Sequence, residues 1–165
     1  MIKISDELIL PCKEIISNRI AKSAMSENMA SAEHFPGPEF YKAYKIWALG
    51  GSGLSISGNV MIDSRYRGEP HNVVIEKGLD NHQELMNWAK GSEGTANKIW
   101  LQLNHPGKHT PIFLTKVPVA PSAVPLKPPL NKMFNPPREL SESEIQDIIG
   151  RFAYAAFIAK KTGFK

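Results

Sequence analysis

The sequence predicts an α/β fold of parallel strands joined by helices. Stretches with a two-residue apolar period alternate with stretches of helical period, and the best strand ends in a run of hydrogen-bonding residues. That strand is Lys98-Ile99-Trp100-Leu101-Gln102-Leu103-Asn104-His105-Pro106-Gly107, ending in its polar cluster. An apolar strand with a polar tip is how a buried sheet presents a functional side chain to a ligand.

The elements follow in order. Leu8-Ile9-Leu10 and Glu14-Ile15-Ile16 flank Pro11-Cys12-Lys13 and read as an N-terminal hairpin laid against one end of the domain. A first strand is expected over Arg19 to Met25. After Pro36-Gly37-Pro38, the residues Phe40, Tyr44, Trp47 and Ala48 form an apolar helical stripe that stops at Gly50-Gly51. The second strand, Gly53 to Ile62, alternates, with Leu54 and Ile56 on one face and Ser55, Ser57 and Asn59 on the other. A charged loop over Asp63 to Gly68 leads to a second helix from about Asn81 to Lys90, with Leu85, Trp88 and Ala89 buried. Gly91-Ser92-Glu93-Gly94 then breaks it. In the third strand Ile99, Leu101 and Leu103 face one way, Trp100, Gln102 and Asn104 the other.

The third helix has the clearest start signal, because Ser141 followed by Glu144 is a capping box. Its core stripe is read as Ile145, Ile148, Ile149, Phe152, Ala156 and Ala159, and Lys160-Lys161 lies at the negative end of its dipole. Between the third strand and this helix, the loop from Pro106 to about Leu140 holds nine of the thirteen prolines. That content argues for an ordered excursion that shapes a binding site.

Composition sets outer limits. At 165 residues, with 42% hydrophobic and 22% charged, the chain fits one soluble domain. The net charge of +4 comes without a basic run, which argues against nucleic acid. No apolar run reaches membrane-spanning length and Met1 to Glu7 lack a signal-peptide core, so a cytoplasmic location with no membrane contact is expected. A lone cysteine, Cys12, allows no internal disulfide.

Several residues could carry chemistry, and each has a plainer reading. Asn59 and Gln102 lie near the ends of neighbouring strands, and their amides offer the donors and acceptors that read the edge of a flat heterocycle. Equally, they could satisfy each other or the backbone. Ser26 could stabilise developing negative charge or simply be a turn residue. No histidine or G-x-S-x-G context makes it a hydrolase nucleophile. His105 and His109 have a metal-ligand spacing that only a helix would exploit, and Pro106-Gly107 prevents that helix, so no metal site is expected. Gly50-Gly51-Ser52-Gly53 precedes a strand and reads as a turn instead of a phosphate loop.

Three stretches carry a resemblance: Asn18-Arg19-Ile20-Ala21-Lys22-Ser23-Ala24-Met25-Ser26-Glu27, Gly53-Leu54-Ser55-Ile56-Ser57-Gly58-Asn59-Val60-Met61, and Gln102-Leu103-Asn104-His105-Pro106-Gly107. With Ala120-Pro121-Ser122-Ala123 and Ala159 to Phe164, they resemble the Old Yellow Enzyme family, in its NADH:flavin oxidoreductase or NADH oxidase branch. The resemblance implies a TIM (β/α)8 barrel with FMN at the C-terminal ends of its strands. By the same resemblance Ser23, Ala24 and Met25 meet the flavin, and Ser26 sits beside its carbonyl and N5 as the residue that tunes the reduced ring. Asn59 and Gln102 would bind the pyrimidine edge. NAD(P)H would deliver hydride to FMN, and FMN to an enone-like small molecule.

The family's substrate-holding pair follows its fourth strand, and its phosphate-gripping loops follow strands seven and eight. Residues 1–165 are therefore expected to be the N-terminal portion of one FMN-binding barrel domain, with about three βα units and no second domain. Self-association or pairing with the missing C-terminal part is expected, and the chain alone is expected to bind FMN poorly and be inactive. The rival reading is a non-catalytic truncated chain that is stable only with a partner. A binding module built on the proline-rich loop has little support.

Overall fold

A computed structural model describes all residues, Met1 to Lys165. The N-terminal hairpin is present as β1 (Leu8–Ile9) and β2 (Ile15–Ile16), antiparallel, with Lys13 at φ 67° in its turn. It closes the N-terminal end of the sheet. Arg19 N–H donates to Ile4 O, Ser17 Oγ donates to Ala96 O at 3.3 Å, and Lys98 is paired with Glu14.

The central sheet is parallel. Its spine is β4 (Leu54–Met61), which pairs along its whole length with β6 (Lys98–Asn104) on one edge. The other edge is shared by two short strands, β3 (Ala21–Lys22) opposite Leu54 and Ser55, and β5 (Val73–Val74) opposite Val60 and Met61. The first strand is thus far shorter than the expected Arg19 to Met25. Its continuation leaves the ladder, and β5, hidden in sequence by its two-residue length, takes over that edge.

Helix α1 (Pro38–Leu49) follows β3, α2 (His82–Ala89) follows β5, and α3 (Glu142–Lys161) comes after β6 and the proline-rich loop. Pro38 opens α1 in the first turn, where its missing N–H costs nothing, and Gly51, at φ 87°, follows its C-cap. All three helices pack on one face of the sheet, as right-handed crossovers require. Phe40 and Tyr44 of α1, Trp88 of α2 and Phe164 beyond α3 meet with ring centroids 4.9 to 5.3 Å apart. Val60 and Ile99 of the strands complete this cluster, with Leu101 and Leu103 packed against it. At roughly 2 kcal/mol per buried large side chain it is the main source of stability.

The α3 capping box is complete: Ser141 Oγ accepts from Glu144 N–H at 3.3 Å, and Glu144 Oε2 accepts from Ser141 N–H at 2.9 Å. Its buried stripe differs from the expected one. Ala155, Ile158 and Ala159 are buried and Ile148 is half-buried, whereas Ile149, Phe152, Ala156 and Phe157 are exposed. The helix is apolar on two sides, and periodicity alone cannot say which side meets the sheet.

The proline-rich loop has secondary structure of its own. It carries a further parallel pair, β7 (Val119–Ala120) with β8 (Arg138–Glu139), and Val119 and Thr110 are buried. No helix is long and apolar enough to cross a membrane.

Candidate functional site

The helices cover one face of the sheet, and the candidate site lies on the other, toward the C-terminal ends of β4 and β6. Its geometry depends on a bulge. Ile56 pairs with Trp100 and Asn59 with Gln102, so three residues of β4 span the distance covered by two of β6. The extra residue reverses the alternation. Asn59 therefore shares a face with Ile56, Trp100, Gln102 and Asn104, and not with Ser55 and Ser57 as strict alternation predicts. Ser57 is buried at the bulge, where its Oγ accepts from Gln102 N–H at 2.9 Å and donates to Gly58 O at 2.7 Å. Its hydroxyl replaces the ladder contact the bulge removes.

Register places Asn59 and Gln102 side by side, with strands about 4.8 Å apart. They do not satisfy each other. Asn59 Oδ1 accepts instead from Asn104 Nδ2 at 3.1 Å, which leaves the Asn59 NH2 group without a protein partner. Gln102 is exposed, and its backbone N–H is its anchor. The pair thus presents donors and an acceptor at the sheet's C-terminal rim.

Residues 23 to 27 run beside β4 in the gap between β3 and β5. Gly58 makes this possible, because a Cβ there would strike Met25 O and Glu27 Oε2 and lie 2.7 Å from Ser26 Cα. Glu27 then accepts from Gly58 N–H at 3.0 Å and from the Tyr44 hydroxyl. Burial, with Glu27 beside it, pushes Tyr44 far above its ordinary range, so the phenol stays a donor. The nearby Lys22 Nζ lies 4.5 Å from the Trp47 ring centroid and donates to Ser23 O and Ile56 O at 3.0 Å each. Ser23, Met25 and Ser26 are exposed and Ala24 is half-buried, so the segment shows a small-residue surface next to the amide pair.

Ser26 is held from the following loop. Its hydroxyl donates to Glu69, and Asn72, itself 2% exposed, donates through Nδ2 to Glu69 Oε2 at 3.2 Å and to Ser26 Oγ at 3.4 Å. Asn72 Oδ1 accepts from Glu69 N–H at 2.7 Å. Neither Glu69 nor Asn72 stands out in sequence. The polar alternation of β6 pointed to Asn104, but these two sit in a loop without periodicity.

The two histidines are engaged separately. His105 lies tilted against Tyr66, ring centroids 5.1 Å apart; its Nδ1 accepts from Gly107 N–H at 3.2 Å, and burial pushes its imidazole down toward the neutral form. His109 packs edge-on against Phe134. Beneath them, Asp63 is 1% exposed. Burial pushes its carboxyl up, but Arg65, bonded at 2.6 to 3.2 Å, and Arg151 outweigh this and hold it below the usual range. Arg151 of α3 lies 3.7 Å from Asp63 and pairs with Asp147 at 2.7 Å, so this cluster ties the end of β4 to α3.

No family model matches the chain. Among characterised proteins, the chain is 32% identical over 176 residues to the NADH-dependent flavin oxidoreductase iliE of Hypocrea jecorina, covering 95% of this chain and 43% of that protein. It is also 32% identical over 155 residues to the NADH oxidase of Thermoanaerobacter brockii, covering 91% of this chain and 23% of that one. The chain thus spans less than half the length of these relatives. Among solved structures, morphinone reductase in complex with tetrahydroNAD superposes with a TM-score of 0.85 at 23% identity, over 98% of this chain and 47% of that one. The old yellow enzyme homologue from Zymomonas mobilis gives 0.83 at 24% identity, over 98% and 46%. These structural likenesses establish the fold, a partial TIM barrel.

Proposed function

We propose, from the place of this chain in the Old Yellow Enzyme family of flavin oxidoreductases, that it forms the pyrimidine-edge part of an FMN site serving hydride transfer from NAD(P)H to an activated alkene. The single observation that carries the proposal is the Asn59 and Gln102 pair, in register on one face at the strand ends. A flavin pyrimidine edge alternates carbonyl acceptors and a ring N–H, and these two amides supply matching donors and an acceptor. The donor set fits the group. So does the cradle, because Gly58 brings Met25 and Ser26 close enough for a flat ring to rest against backbone.

The cofactor supplies the hydride chemistry when bound. This chain's residues bind and orient. Asn104 fixes Asn59, Ser57 fixes the backbone of Gln102, and Ser26 sits at the rim of the cradle. The resemblance puts the phosphate grip and the substrate-holding pair on later strands. In this reading the 165-residue chain binds FMN weakly and turns over no substrate. Isothermal titration of the full chain with FMN tests it, with a weak, Gln102-dependent affinity expected. Tight stoichiometric binding, or weak binding indifferent to Gln102→Ala, would count against it.

A second reading is favoured by the bare edge of β6. That strand pairs only with β4, and Trp100, Leu101, Leu103, Ala156 and Phe164 line an open groove of about 560 Å³ beside it. Lys165 N–H reaches Ile99 O, but the rest of the edge faces outward. An exposed parallel edge seeks a strand, so the chain would persist by pairing with another polypeptide or itself. Size-exclusion chromatography separates the readings: one monomeric species disfavours the partner requirement, and concentration-dependent association supports it.

A further inference from the structure

We propose that Glu69 is a positioning residue that dictates which way the Ser26 hydroxyl points and places a carboxylate at the rim of the flavin cradle. The inference rests on the flavin reading above and adds a residue to it. Ser26 Cα lies against Gly58, the residue before Asn59, so Ser26 sits beside the strand that carries the amide pair. A serine hydroxyl has one proton to give. Here that proton goes to Glu69, while Asn72 donates to Ser26 Oγ at 3.4 Å, so the serine faces any neighbour as an acceptor.

Asn72 makes the arrangement directional. It is 2% exposed and holds Glu69 twice, through the Glu69 N–H at 2.7 Å and the carboxylate at 3.2 Å. The Glu69 side chain is thereby aimed at Ser26 and not at solvent. Neutralising that carboxylate replaces a charge-assisted bond with a weaker neutral one and loosens its hold on the Ser26 proton.

The electrostatic consequence follows from the charge of the ring. A neutral oxidised flavin that accepts a hydride becomes an anion. A fixed carboxylate nearby, and a serine unable to donate, both disfavour the anion relative to the neutral ring. Glu69 therefore keeps the bound ring more strongly reducing, which favours passing the hydride on over retaining it.

The test compares affinities of the full chain for oxidised FMN and for dithionite-reduced FMN, under anaerobic conditions, in the wild type, Glu69→Gln, Ser26→Ala and the double variant. Glu69→Gln is expected to raise affinity for reduced over oxidised FMN by about tenfold, equivalent to about 30 mV for a two-electron couple. Ser26→Ala alone is expected to change the ratio little, because the hydroxyl is already committed. In the double variant part of the Glu69→Gln gain should disappear, which a merely structural role for Glu69 does not predict. A ratio unchanged within twofold in Glu69→Gln, with FMN still bound, overturns this inference and leaves the flavin reading intact. No detectable binding of either form by the wild type overturns the flavin reading and this inference with it.

Discussion

Asn59 and Gln102 are register partners although the chain has taken three steps along β4 and only two along β6 since Ile56 and Trp100. The bulge that absorbs the extra residue brings both amides to the face without helices. Without it, Asn59 would point into the helix-covered core with Val60 taking its place on the rim.

Gly58 is the position where the cradle is most easily broken. A methyl group there would overlap Met25 O, which is backbone, and the Glu27 carboxylate, which accepts from Gly58 N–H, so neither is a loose side-chain end. Gly58→Ala should cost about 1–3 kcal/mol in urea unfolding. It should also displace residues 23 to 27, seen as amide shift changes confined to that segment and to Tyr44.

Removing the cap of α3 should have a smaller effect. Ser141→Ala deletes the acceptor for Glu144 N–H and is expected to lower stability by about 1 kcal/mol in urea unfolding.

The same cap gives a pH dependence. The Arg138 guanidinium, together with the Ser141 N–H, holds the Glu144 carboxyl down to about 2. A carboxyl whose folded value is depressed stabilises the protein above its unfolded value and loses that contribution as pH falls through the folded one. Wild type should therefore lose stability relative to Glu144→Gln as pH drops from about 4.5 toward about 2. Parallel stability curves for the two proteins across that window would contradict the assignment.

Phe157 tests how the exposed side of α3 is read. It is 62% exposed and outside the core cluster, so Phe157→Ser should alter the chain's own stability by no more than about 0.5 kcal/mol. If this side meets another polypeptide, the same variant should lower association in sedimentation velocity. A large loss of monomer stability would show that Phe157 packs inside the chain.

What the sequence revealed and what it hid divide along physical lines. The capping box, the stripe of Phe40, Tyr44 and Ala48, and the alternation of Ile99 to Asn104 are local signals, and each reappears in the fold. The facing of Asn59 was not legible, because a bulge is set by pairing with β6 and leaves only Gly58 as a hint. The two-residue β5 and the Ser26, Glu69 and Asn72 cluster are long-range arrangements with no period to betray them. On α3, the apolar surplus blurred the phase until the sheet selected Ala155, Ile158 and Ala159. Ser23 to Ser26 were singled out by resemblance alone. Their place beside Gly58 supplies the geometric reason a flat ligand could approach them.

The most direct test of the central claim is a ¹H–¹⁵N spectrum of the full chain titrated with FMN, following the side-chain NH2 signals of Asn59 and Gln102. These two carboxamides and the backbone amides of residues 23 to 26 are expected to shift together, saturably, and Asn104→Ala to weaken the response. Saturating FMN that leaves both carboxamides unmoved, or that shifts only residues on the helix-covered face, would contradict that claim.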